Sequence, residues 1–65
     1  MRNFVATVKE RGVGETCFVM IELYQEIGLP KGKNLMIDLP RGSNIETAQI
    51  IATTLNVTAK SFNLL

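Results

Sequence analysis

Hydrophobic and polar positions alternate at the start of this chain and later change period, and the changes mark its elements. Over residues 3–9, Phe4, Ala6 and Val8 alternate with Val5 and Thr7, and β-branched residues are frequent, which predicts a strand. Gly12 and Gly14 make residues 10–14 a loop. Residues 35–39 alternate again, with Leu35, Ile37 and Leu39 on one side and Met36 and Asp38 on the other. Pro40-Arg41-Gly42 then turns the chain. A 3.6-residue period takes over in residues 43–56, where Ile45, Ala48, Ile51, Ala52 and Leu55 form a stripe to be buried and Ile50 falls outside it. Ser43 and Glu46 have the spacing of a capping box at the start of this helix, and Asn56 reads as a left-handed terminator at its end. Residues 58–64 predict a last strand with Phe62 and Leu64 facing inward.

Residues 15–27 fit two periods. On a helical wheel Glu15, Glu22, Gln25 and Glu26 share one side with Phe18, while Cys17, Met20, Ile21, Leu23, Tyr24 and Ile27 cover the other. Gly28-Leu29-Pro30 would stop such a helix. Residues 16–21 are also rich in strand formers, and the glycines before them would serve a hairpin. With the helix preferred, the expected fold is α+β: a small single-layer three-stranded sheet with two helices packed on it, in the order β-α-β-α-β. The alternative is a β-hairpin followed by β-α-β. Either way residues 1–65 make one small globular domain. The echo of Leu29-Pro30-Lys31-Gly32-Lys33-Asn34 in Leu39-Pro40-Arg41-Gly42-Ser43-Asn44 is repeated turn chemistry rather than a duplicated domain.

Composition adds a constraint on assembly. A chain of 65 residues buries only about 60% of its unfolded surface. Disulfides, metals or partner subunits usually stabilise such domains. Here a single cysteine, Cys17, rules out an intrachain disulfide, and the lack of histidine leaves a poor donor set for zinc or iron. Apolar residues nevertheless make up 46% of the chain. The expectation is an apolar surface that meets another chain, most simply in a homodimer. The lone cysteine and the absence of a signal-peptide pattern point to the cytoplasm, and no apolar run approaches the length that spans a membrane.

Candidate chemistry changes the picture little. No histidine is present for proton transfer near neutral pH; Ser43 and Ser61 lack a nucleophile's context, and Cys17 falls on an apolar side as a core thiol would. Glu22 and Glu26 fall on a polar face, where solvation rather than acid–base work is expected. The Gly12-Val13-Gly14 loop has Cys17 where a dinucleotide fingerprint needs its third glycine. The chain is therefore read as no enzyme, with neither cofactor nor metal. Net charge is +1, far from the excess of most nucleic-acid binders, and the loop cations Lys9, Arg11, Lys31, Lys33 and Arg41 are the residues available for phosphate contact.

One stretch has a resemblance. Residues 19–37, above all Ile27, Gly28, Leu29, Gly32, Leu35 and Ile37, resemble the swapped-hairpin DNA-binding family of the AbrB and MazE type, in which a short turn ending in Leu-Gly leads through a second glycine into an alternating strand. The sequence departs from that pattern at Val19-Met20, where the family has Ile-Pro, at Tyr24, where it has Arg, and at Lys33, where it has Asp. The helix of residues 43–56 is not part of that domain. The resemblance implies an interlaced dimer that places loop arginines and lysines on DNA.

Two functions follow as expectations. The first is a small non-enzymatic interaction or regulatory module that acts as a homo-oligomer or docks on a protein partner, an accessory subunit of an enzyme included. Phe18 and Ile50, apolar residues on otherwise polar helix faces, are its candidate contacts. The second is a dimeric DNA-binding regulator of swapped-hairpin type.

Overall fold

Strand β1, Phe4–Lys9, pairs antiparallel with β2, Phe18–Leu23, in the register Phe4↔Leu23, Ala6↔Ile21 and Val8↔Val19. Strand β3, Leu35–Asp38, continues the meander, with Val19 opposite Ile37 and Ile21 opposite Leu35. The sheet order is β1-β2-β3, and α1, Ile45–Thr58, the one helix among the described residues, packs on one face. The computed structural model describes residues 2–12, 16–25, 27–29 and 32–65.

This corrects the expected two-helix β-α-β-α-β fold, because residues 18–23 are a strand. The reason lies in Val19 and Ile21, both fully buried. Two residues apart on a helix they would point about 200° away from each other, given 3.6 residues per turn. On a strand they share one face. That face carries the core: Phe4 and Ala6 of β1, Val19 and Ile21 of β2, and Cys17 just before β2, beneath Ala48 and Ala52 of the helix. Two alanines at the contact allow the helix to approach the sheet closely. The helix lies over β1 and β2 and does not reach β3, so Leu35 and Ile37 stay half-buried.

The helix ends differ from the expected ones. Asn44, not Ser43, is the N-cap: its side chain accepts from the Thr47 backbone N–H at 2.9 Å. Ser43 instead turns back, and its hydroxyl donates to the Pro40 carbonyl at 2.7 Å. Asn44→Ala should lower stability by about 1 kcal/mol in a urea titration, the usual loss for an asparagine cap, whereas Ser43→Ala should change it by less. At the other end Asn56 is no terminator, since the helix continues to Thr58.

The expected last strand is also absent. Residues 59–65 join no sheet, and Leu64 is exposed on the surface rather than inward. Two side-chain carboxamides explain the course of this segment. Asn56 Nδ2 donates to the Ala6 carbonyl and Asn56 Oδ1 accepts from the Ala6 N–H, both at 2.9 Å. In an antiparallel strand a residue directs both backbone groups to the same side, so Ala6 faces away from β2 and Asn56 occupies the free edge of β1 at that point. Asn3, buried, makes the same two-bond ring with Phe62: Nδ2 donates to the Phe62 carbonyl at 2.8 Å and Oδ1 accepts from its N–H at 3.0 Å. The Phe62 ring then meets Phe4 edge to face, centroids 4.7 Å apart. Leu64 packs across Gly28, whose φ of 100° suits glycine; a Cβ there would lie 2.5 Å from the leucine Cδ1.

Candidate functional site

Strand alternation sends every second residue to the side of the sheet away from the helix. Val5, Thr7 and Lys9 of β1, Glu22, Met20 and Phe18 of β2, and Met36 and Asp38 of β3 occupy that face, in the rows Val5↔Glu22, Thr7↔Met20↔Met36 and Lys9↔Phe18↔Asp38. A one-sided antiparallel sheet ordinarily shows water a polar face. Here much of the face is apolar: Val5, Phe18 and Met20 are half-buried by their neighbours and Met36 is 52% exposed. The Thr7 hydroxyl adds little polarity. It is covered, and it has no hydrogen-bond partner among the described residues.

The two ends of the face differ in charge. At one end Arg11 lies over the Phe18 ring, 5.2 Å from its centroid, and makes an ion pair with Asp38. A second Arg11 contact runs to Met36 Sδ at 3.4 Å. Cation–π contact and the ion pair together hold the guanidinium over this end of the sheet. With Lys9 beside Phe18, this end carries two cations and one anion on the open face. The other end carries Glu22, opposite Val5, with exposed Tyr24 beyond it.

No family model, curated protein or solved structure matches the chain.

The structure distributes the sequence-derived candidates widely. Phe18 is on the open sheet face, whereas Ile50 is on the outer face of α1, 66% exposed, and the sheet and the helix's inner side lie between them. One contact surface on a single molecule therefore does not contain both. The depression beside Ile50 is lined by Glu46, Gln49, Ile50, Thr53 and Thr54, all from one helix, so it is too open to enclose a small ligand. Among the loop cations, Lys9, Arg11 and Arg41 fall toward the Asp38 end of the sheet and Lys33 falls at the opposite end, just before β3. Lys31 lies outside the described residues, as do Glu15 and Glu26. Cys17 is buried in the core as a free thiol. Among the described residues no three potential ligands gather into a metal site, and no helix is long and apolar enough to cross a membrane.

Val5, Thr7, Met20, Met36 and Glu22 were not singled out from the sequence as contact residues. The signal was present in the strand reading of residues 16–21. Phe18-Val19-Met20-Ile21 is apolar in both phases of the alternation and Phe4-Val5-Ala6-Thr7-Val8 nearly so, interrupted only by Thr7, which marks strands with two faces to cover, and among the described residues one helix covers them.

Proposed function

We propose that the protein is a small non-enzymatic interaction module of the cytoplasm, and that it works as a homo-oligomer through the open face of its sheet. The observation that carries this reading is the run of apolar side chains across that face, Val5, Phe18, Met20 and Met36, on the side that α1 leaves bare. Apolar patches of this kind on small domains mark contact sites. Cys17, buried and reduced, takes no part.

Because Phe18 and Ile50 lie on opposite sides, single substitutions separate their roles. Sedimentation equilibrium should show concentration-dependent association of the native chain. Phe18→Asp should abolish it while leaving the far-UV circular dichroism unchanged, and Ile50→Asp should leave association intact. A native chain that stays monomeric over the whole concentration range, or a dimer lost only on Ile50→Asp, overturns the assignment of the face.

A second reading, a dimeric DNA-binding regulator, is favoured by one observation: residues 18–23 form a strand, as a swapped-hairpin dimer would require, and lead through Gly28 and Gly32, both with positive φ, into β3. Lys9, Arg11, Lys33 and Arg41 would supply the phosphate contacts, although Arg11 is already paired with Asp38. Fluorescence anisotropy with mixed-sequence duplex DNA tests it, since phosphate contacts release counterions and such binding must weaken steeply as salt rises. Absence of binding at low salt removes this reading.

A further inference from the structure

We infer that the occupant of the open face is a second copy of this chain, packed sheet against sheet about a two-fold axis that runs across the strands, so that Glu22 of each subunit meets Lys9 and Arg11 of its partner. This rests on the proposed reading of the face as the contact of a homo-oligomer and adds how the two copies are oriented.

The argument is one of charge complementarity. The middle row of the face is Thr7, Met20 and Met36; one end carries Glu22 on the open face, with Lys33 just before β3 outside the strand rows, and the other end carries Lys9 and Arg11 against Asp38. Glu22 and Phe18 are four residues apart on β2, about 13 Å at the usual strand rise. Two identical sheets facing each other at the usual spacing of about 10 Å can be related by a two-fold axis along the strands or across them. An axis along the strands brings like ends together, Glu22 near Glu22 and Lys9 near Lys9. An axis across the strands passes through the middle row and reverses the ends. It sets Glu22 of one subunit above Phe18 of the other, where Lys9 is the cross-strand neighbour and Arg11 lies over the ring. The methionines of the middle row stay in the dry centre with the Phe18 rings at its two margins, and both copies of the charge pair form at once, as a self-complementary surface requires. The face measures roughly 300 Å² per subunit in projection from strand spacing and rise, well below the roughly 800 Å² per partner of a standard interface. Association is therefore weak, and orientation is set by the charged ends rather than by area.

Charge reversal tests the arrangement. Glu22→Lys alone sets two lysine–lysine contacts in its homodimer, and Lys9→Glu alone sets two glutamate–glutamate contacts. Each should weaken self-association at least about tenfold, since two surface pairs change sign in each dimer. An equimolar mixture of E22K with K9E restores both opposite-charge contacts and should associate to within about threefold of the native constant, as a heterodimer. Native association should also weaken from low to moderate salt. Circular dichroism and thermal melting of each variant establish that it is folded. A native dimer that Phe18→Asp dissociates but the charge reversals leave unchanged keeps the interaction reading and overturns this arrangement. So does a pair of weakened variants that fail to rescue each other. A native chain monomeric throughout overturns both.

Discussion

Phe4→Ala is expected to remove roughly half or more of this chain's folding stability. Phe4 is 1% exposed at the start of β1, between Leu23 of the neighbouring strand and the helix, with its ring against the edge of Phe62. Truncating a buried phenylalanine to alanine costs about 3–5 kcal/mol, because the transfer energy is lost and the cavity only partly closes. The total stability of a chain of 65 residues is on the order of 3–10 kcal/mol. The substitution also releases Phe62, and with it the packing that holds residues 59–65 over the β1 edge. Phe4→Leu keeps most of the volume and gives up the edge-to-face contact, so it should remain folded with a loss of about 1–2 kcal/mol. Urea denaturation followed by far-UV circular dichroism distinguishes the two. A cooperative Phe4→Ala transition near the native midpoint would show that this ring is not central to the core.

The second large effect is expected at Asn56. Its carboxamide replaces a missing neighbouring strand at Ala6, donating to the carbonyl and accepting from the N–H as a peptide group would. Asn56→Ala leaves both backbone groups without a partner on a partly covered edge. The loss is about 2–3 kcal/mol, from two hydrogen bonds and the desolvation of the groups they served. Asn56→Asp is the sharper variant. A carboxylate still accepts from the Ala6 N–H but cannot donate to the Ala6 carbonyl, and it sets a negative charge against that oxygen, so it should be no better tolerated than alanine. Hydrogen exchange gives the residue-level readout. The Ala6 amide should be protected in the native chain despite its edge position, and should exchange with the solvent-exposed amides in either variant. If Ala6 stays protected in Asn56→Ala, some other group serves that edge.

The two asparagine rings bear on assembly as well as stability. An unpaired strand edge invites edge-to-edge pairing with another chain. Asn56 closes the β1 edge at Ala6, and Asn3 ties residue 62 beside the start of the same strand. Strand β3, at the other edge, has only four residues and ends at Asp38, paired with Arg11. With one edge blocked at Ala6 and the other short and charged at its end, neither edge offers a long run of unpaired backbone groups to another strand.

The local pattern alone determined several features. The alternation of Phe4, Ala6 and Val8, and of Leu35 and Ile37, defined β1 and β3, and the 3.6-residue period defined α1 with Ala48 and Ala52 inward and Ile50 outward, although Ile45, expected in the buried stripe, is exposed in the first turn. These segments carry one period each, so neighbouring residues were enough to read them. Composition also implied more apolar surface than one small core can hold. Residues 18–23 were a different case, because a short apolar run satisfies a helical and a strand period equally. Their state was decided by cross-strand partners, Val8 opposite Val19 and Ile37 beyond it, which no local window contains. The roles of Asn3 and Asn56 were invisible for the same reason. Asparagine is common at turns and helix ends, and the backbone groups these two bind are 59 and 50 residues away in sequence. The open face likewise exists only after three strands align in register, since Glu22 and Lys9 acquire opposite ends of one surface through the pairing of β1 with β2. Periodicity reports which side of its own element a residue faces. Which elements meet, and what they leave uncovered, depends on contacts between distant parts of the chain, and those only the tertiary structure supplies.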